Sequence, residues 1–259
     1  MFLLIQNNKA MKIFPLLFIF FSCFFSAQIK YPEYIISDKN ISEQKLETTE
    51  DIYFFYHKNI QYIGDLKSPI ELNYNNYPKE NPILKNNYKR PDDELHKQFK
   101  NEYKNVKIVV DIRQSTPLTI TRTDTTKISP EVLEAEIDRL IEGKEPTIKI
   151  PTITTYYDGY PVTIHNLEYQ DIMLGFGNHI PLIFEALDKE NNWQEISGIR
   201  KYSCGNGIQY IMLKPNQIAT VFEPKIKGNF KTKFRYRLKN MISNEFEGSI
   251  NEDYFKTNP

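Results

Sequence analysis

Lys231, Lys233, Arg235, Arg237 and Lys239 alternate one for one with Phe230, Thr232, Phe234, Tyr236 and Leu238. Successive side chains of a β-strand point to opposite faces, so this spacing predicts one cationic face and one mostly apolar face, as in a half-buried strand. The following segment, Ser243 to Ile250, repeats the pattern with acids: Glu245 and Glu247 share one side, Phe246 and Ile250 the other. Together they predict a hairpin that closes a β-sandwich.

Upstream, strand-like runs recur at Val106 to Ile112, Leu118 to Arg122, Ile148 to Thr155, Val162 to His165, Ile180 to Leu187, Ile208 to Leu213 and Ile218 to Phe222. Turn residues separate them: Ser115-Thr116-Pro117, Asp188 to Asn192 and Lys214-Pro215-Asn216. One helix interrupts the series. Ser129 can accept from free N–H groups of a first turn, Pro130 needs no donor there, and Gly143 suits a left-handed cap. Leu133, Ile137, Leu140 and Ile141 fall on one face, expected to cover an edge or end of a sheet. The predicted fold is mainly β: an immunoglobulin-like antiparallel β-sandwich over residues 106–255, with one short helix. Residues 28–105 read as an irregular, loop-rich N-terminal extension broken by Pro32, Pro69, Pro78, Pro82 and Pro91. Within it, Asp51 to Ile63 suggests a strand pair, and Pro91 to Tyr103 a short helix from Asp92.

Residues 1–27 read as a secretory signal peptide: Lys9 and Lys12 precede an apolar run from Ile13 to Phe25, which ends at Ser26, Ala27 and Gln28. The run is shorter than the roughly 20 apolar residues that cross a bilayer, so no span is expected in the mature chain. Translation from Met11 instead of Met1 would leave a conventional short leader. A lipid anchor on Cys23 is the alternative; Phe20 three positions before it, and Phe24 and Phe25 after it, disfavour that reading. The expected location is therefore secreted or periplasmic. Cys204 is then the only cysteine of the mature domain, which excludes an internal disulfide.

With 33 Lys+Arg against 33 Asp+Glu, bulk electrostatics give no reason to expect a nucleic-acid partner, and recognition must be local. Abundant Asn, Lys, Ile, Tyr and Phe fit an AT-rich coding bias, so 17 tyrosines are not by themselves a binding signal. The cationic row Lys231, Lys233, Arg235, Arg237 and Lys239 is the candidate binding site. Alternate residues on a strand stand about 6.6 Å apart, a spacing suited to an anionic envelope component such as a lipid head group, acidic glycan or peptidoglycan stem. The competing reading is a solvated face partly neutralised by Glu245 and Glu247.

No catalytic residues, cofactor or metal site are assigned. Cys204, in Cys204-Gly-Asn-Gly, has only His165 and His179 as histidines in the expected sandwich, too loose a constellation for a nucleophile and base. His165 shares strand parity with Thr163, which predicts a polar surface position, and His179 follows the Gly175 to Asn178 turn. Tyr156-Tyr157-Asp158-Gly159-Tyr160 reads as a turn, with rings stacking on a sugar as the alternative reading. The chain has no GxSxG, HExxH or Walker motif, and Gly175 and Gly177 lack the third glycine of GxGxxG.

From about Tyr160 to Phe255, the residues Gly175-Phe-Gly-Asn, Pro181 to Glu185, Trp193 to Ile196, Cys204-Gly-Asn-Gly, Leu213-Lys-Pro, Gly228 to Arg235 and Ser243-Asn-Glu-Phe-Glu-Gly carry a resemblance. They resemble the C-terminal domain of uncharacterised secreted Gram-negative bacterial proteins, and bacterial immunoglobulin-like modules. The Cys, Trp, Cys pattern of true immunoglobulin domains is absent. The resemblance implies a sandwich and transfers no functional residue. The expected function is an exported, non-catalytic interaction or structural module whose partner is an exported protein or an anionic envelope component. One alternative is a protease inhibitor presenting Gly175 to His179 and Cys204 to Gly207. Another is a hydrolase with a cleft between extension and sandwich.

Overall fold

The structure, a computed structural model, describes residues 29–51, 60–72, 85–90, 92–124, 126, 128–145, 147–148, 151–177, 179–197 and 209–256. The expected leader with Cys23, residues 52–59 of the predicted strand pair and the Cys204 to Gly207 turn lie outside the described residues. Residues 29–31 belong to the unit Met1–Tyr31, and the fold is that of the unit Pro32–Pro259.

The chain is mainly β. Its strands are β1 (Tyr34–Ile36), β2 (Ile60–Asp65), β3 (Ile70–Leu72), β4 (Tyr88–Lys89), β5 (Val106–Val110), β6 (Thr116–Thr123), β7 (Thr152–Asn166), β8 (Ile172–Phe176), β9 (Ile183–Leu187), β10 (Trp193–Ser197), β11 (Tyr210–Leu213), β12 (Gln217–Pro224), β13 (Phe230–Leu238), β14 (Met241–Ile242) and β15 (Phe246–Ile250). The longer helices among the described residues are α1 (Asp93–Lys100) and α2 (Pro130–Ile141).

A first antiparallel sheet runs β2-β12-β7-β5, with β6 on the N-terminal part of β7. A second runs β10-β9-β13-β14, with β15 also on β13, and a third runs β4-β11-β8. β1 and β3 form a short parallel pair. In β13, Phe234, Tyr236 and Leu238 are buried, Arg235 and Arg237 half-buried, and Lys231 and Lys233 exposed, as the alternation predicts. Those three core residues share one cluster with Phe184 and Ala186 of β9, Val162 and Ile164 of β7, and Ala219 and Val221 of β12. Full burial of a Val, Leu, Ile or Phe side chain stabilises by roughly 1.5–3 kcal/mol relative to exposure, so this shared layer holds the sheets together.

The first sheet is covered on its other face too. Tyr34, Ile70 and Leu72 of the parallel pair pack with Tyr62, Leu118, Ile218 and Phe222. Strands from residues 28–105 thus enter the body itself, β2 as a sheet neighbour of β12 and β1 and β3 as a cover.

Two expectations about the secondary-structure elements need correction. Tyr156 to Tyr160 is not a turn but the middle of β7, a 15-residue strand that runs straight through it. Gly159 makes the continuity possible: a Cβ there would lie 2.6 Å from the Glu223 carbonyl oxygen and 2.9 Å from that of Thr116, so only glycine fits between β6 and β12. Helix α2 forms with the predicted caps, Ser129 accepting from the Val132 N–H and Gly143 at φ +73°, yet its apolar face covers no sheet. Of that face, Ile137, Leu140 and Ile141 are 47%, 51% and 78% exposed and Leu133 is half-buried, while the buried residue of the helix is Glu136. The reason is topological. β7 pairs with β12 only from Gly159 onward, so residues 152–158 run beyond the sheet against β6, and α2 connects the outer ends of that ribbon.

Candidate functional site

The cationic row is positioned by the two-residue period of β13 and met by acids from the neighbouring strands. Glu185 of β9 stands opposite Arg235 in the ladder and is 5% exposed. Its Oε2 accepts from Arg235 Nε at 2.6 Å, and its Oε1 from Arg237 Nε at 2.6 Å. Arg237 Nη2 also donates to Glu195 of β10 at 3.2 Å, and the Arg235 guanidinium lies 4.1 Å from the Trp193 ring centroid. The two arginines are consequently held within the sheet by one buried carboxylate and one indole. Lys233 pairs with Glu245 at 3.1 Å, as the parity of the closing hairpin allows. Glu247 is the ladder partner of Lys233 without being its ion-pair partner.

Lys239 leaves the row. It sits one residue beyond β13 at φ +53°, donates to the Asn101 carbonyl at 3.0 Å and lies 4.3 Å from the Tyr103 ring centroid. Of the five predicted cations, Lys231 is the one that stands exposed on the strand with no ion pair among the described residues. The Glu185 clamp was missed by sequence reading because β9 and β13 are some 50 residues apart; its signal was the acid between Phe184 and Ala186, both of them core positions.

Buried polar groups between the layers are bound into structural networks. Tyr236 donates to Glu223 Oε2 at 3.2 Å and shares a 3.0 Å hydrogen bond with Tyr160, beneath the rings of Phe184, Phe234 and Phe246. Burial, then the Glu223 charge, raises the Tyr236 pKa well above the ordinary phenol range, and burial also raises that of Tyr160. On the opposite face, the Tyr34 hydroxyl bonds to Thr220 and, at 3.3 Å, to Thr163; burial pushes its pKa up to about 12 against the opposing effect of those two bonds. These phenols stay protonated at neutral pH and serve as hydrogen-bonding groups.

His165 is also buried, at 3% exposed, which corrects the surface position expected for it. Its parity with Thr163 holds, but that face of the sheet lies under the β1–β3 cover and not in water. Burial lowers its pKa; a hydrogen bond to the backbone of Asn216 opposes this, and the charge of Lys107 adds to the lowering. His179 is 2% exposed and closes a hairpin with Phe176, its N–H donating to the Phe176 carbonyl at 3.0 Å and its carbonyl accepting back at 3.1 Å. The turn requires Gly177 at φ +62° and Gly175, where a Cβ would lie 2.1 Å from the His179 carbonyl oxygen. Tyr160, at the end of the tyrosine-rich segment, is core, and Tyr157 packs against the second cluster.

Among the described residues, no group of three or more His, Cys, Asp or Glu is placed to hold a metal ion. No described helix is long and apolar enough to cross a membrane. The surface feature that sequence reading did not assign is the β6–β7 ribbon with α2. Glu136 anchors the helix inward, accepting from the Thr147 N–H at 2.9 Å and from its hydroxyl, which holds the carboxyl pKa below the usual range. Arg139 Nε approaches the same carboxylate at 4.0 Å. Polar contacts thus fasten the helix, with Leu133 half-buried and Ile137, Leu140 and Ile141 left to solvent. Comparison with protein-family models, with curated proteins and with solved structures finds no match to this chain.

Proposed function

We propose that this chain is a non-catalytic interaction module of the exported compartment, secreted or periplasmic, that engages its partner through the β6–β7 ribbon and α2. The observation that supports it is the exposure of Ile137, Leu140 and Ile141 on a helix whose own attachment is polar. A folded chain gains nothing from leaving such a stripe in water, and contiguous exposed apolar surface marks contact sites. The immunoglobulin-like likeness belongs to the same proposal, supported by antiparallel sheets that share one core. The leader-like start supports export.

The competing classes draw less support. An inhibitor would present Gly175 to His179, yet His179 and Ile180 are buried. A hydrolase would use a cleft between extension and body, where Tyr34, Ile70 and Leu72 instead form a packed apolar layer with Leu118, Ile218 and Phe222. An anionic envelope partner for the cationic row would compete with Glu185 for Arg235 and Arg237.

Two measurements test the reading. Ile137→Ser with Leu140→Ser should change unfolding free energy by less than about 0.5 kcal/mol per site if the stripe is solvent-facing. If it belongs to the core, each substitution costs roughly 2–5 kcal/mol, and the proposal fails. N-terminal sequencing of the protein from a Gram-negative host should begin near Gln28; retention of the apolar run in a cytosolic product would remove the exported part.

A further inference from the structure

We infer that α2 docks a cationic amphipathic segment of a partner protein, an inference that rests on the interaction reading above and names the chemistry of the partner. At about 100° per residue, Leu133, Ile137, Leu140 and Ile141 occupy an arc of about 100°, and Glu131, Glu134, Asp138 and Glu142 fill the adjoining arc of about 80°. The four acids are all exposed. The third face carries Glu136 and Arg139, which turn inward on each other and on Thr147 and the Glu145 carbonyl. The accessible helix is therefore two parallel stripes, one apolar and one anionic, along 12 residues or about 18 Å.

Among the described residues, local cations do not neutralise the acidic stripe. Residues 130–145 hold six carboxylates against Arg139 and Lys144. Arg139 faces Glu136, and Lys144 pairs with Glu142 at 2.5 Å. Glu134 and Asp138 have no ion pair among the described residues. This acidic excess stands in a chain whose formal net charge is +0.

Charge complementarity selects the occupant. An anionic lipid surface that accepted the apolar stripe would bring its head groups against Glu134 and Asp138 and be repelled. A segment with apolar anchors at helical spacing and Lys or Arg on the flank satisfies both stripes at once, the helix-to-groove mode with a charged rim. A second copy offers no matching element in the β13 row, whose arginines are already clamped.

The test uses the full chain and fluorescence anisotropy of a labelled 18-residue amphipathic peptide built from Leu and Lys, with a Leu and Glu peptide of the same pattern as counterpart. The expected results are saturable binding of the Leu/Lys probe and at least tenfold weaker binding of the Leu/Glu probe. Ile137→Ser with Leu140→Ser should weaken the Leu/Lys probe at least tenfold. Glu134→Lys with Asp138→Lys should do the same and let the Leu/Glu probe bind. No binding, or binding indifferent to the charge reversal, overturns the inference. So does sedimentation showing a dimer of the native chain that the serine pair dissolves, since a second copy would then be the occupant. If the serine pair unfolds the protein, the interaction reading itself has failed; if folding is retained and charge has no effect, only the partner chemistry has.

Discussion

Replacing Glu185 with Gln isolates the contact that converts the cationic row from a binding surface into part of the fold. The substitution keeps the side-chain shape and one acceptor oxygen while removing the charge shared by Arg235 and Arg237. An exposed ion pair contributes roughly 0–1 kcal/mol, and removing one partner of a fully buried pair costs roughly 3–5 kcal/mol. The Glu185 side chain is 7% exposed but its two partners 17% and 31%, so solvent screens part of the loss. A cost of about 2–3 kcal/mol follows, and for a chain of this size it lowers Tm by about 4–12 °C. Urea unfolding can be read from intrinsic fluorescence, because the chain's single tryptophan, Trp193, lies over Arg235. Glu195→Gln is the matched control: its carboxylate is 42% exposed and among the described residues has Arg237 as its ion-pair partner, so about 0.5 kcal/mol is expected. Equal effects of the two substitutions, or a loss below about 0.5 kcal/mol for Glu185→Gln, would refute the clamp.

Gly248→Ala should destabilise by about 1–3 kcal/mol, since the new Cβ would stand 2.4 Å from the buried Phe234 ring; the urea midpoint reads it. Tyr236→Phe should cost about 1–3 kcal/mol in the same assay, because it withdraws the hydroxyl that joins Tyr160 to the buried Glu223 carboxylate. His165 has a folded pKa below its unfolded value, so the stability it contributes is complete above the unfolded pKa of about 6.5 and is lost as pH falls through the lower folded value. His165→Gln should therefore shrink the difference in Tm between pH 7.5 and pH 5.5; an unchanged difference would show that other groups carry it.

The features legible in the sequence are those set by local period. β13 could be read because one side of it is core and the other reaches solvent, the condition under which alternation reports burial. The caps of α2 could be read because Ser129, Pro130 and Gly143 act within one turn of themselves. His165 was misplaced because parity gives the face and not what covers it; a sheet packed on both sides holds polar residues such as Thr163 and Thr220 between its layers. The exposure of α2 was hidden for a related reason. An apolar stripe at helical spacing reads the same whether it meets a sheet of its own chain or stands free. The asparagines assigned to coding bias also proved structural: Asn240 exchanges two hydrogen bonds with the backbone of Tyr103, and Asn244 two with that of Val110, tying β5 to the closing hairpin. No periodicity announces such contacts, since each joins segments more than 130 residues apart.

The distribution of charge, more than its total, determines where this chain can recognise anything electrostatically. A balance of 33 cations and 33 acids permits either even mixing or segregation. In the body, charges of opposite sign meet: Arg235 and Arg237 on Glu185, Lys225 on Asp158 at 2.9 Å, Lys189 on Glu252 at 2.6 Å. A ligand anion arriving at Arg235 or Arg237 must displace a carboxylate already in place and already desolvated, which leaves little free energy for binding. Across residues 130–145 the acids outnumber the bases three to one, and Glu131, Glu134, Asp138 and Glu142 stand in water beside exposed Ile137, Leu140 and Ile141. There an incoming cation displaces only solvent, and the apolar contact beside it supplies the attraction that charge alone, screened within about 8 Å at physiological salt, does not. The row that alternation makes conspicuous is thus the less available surface, and the helix it would be natural to assign to the core is the more available one.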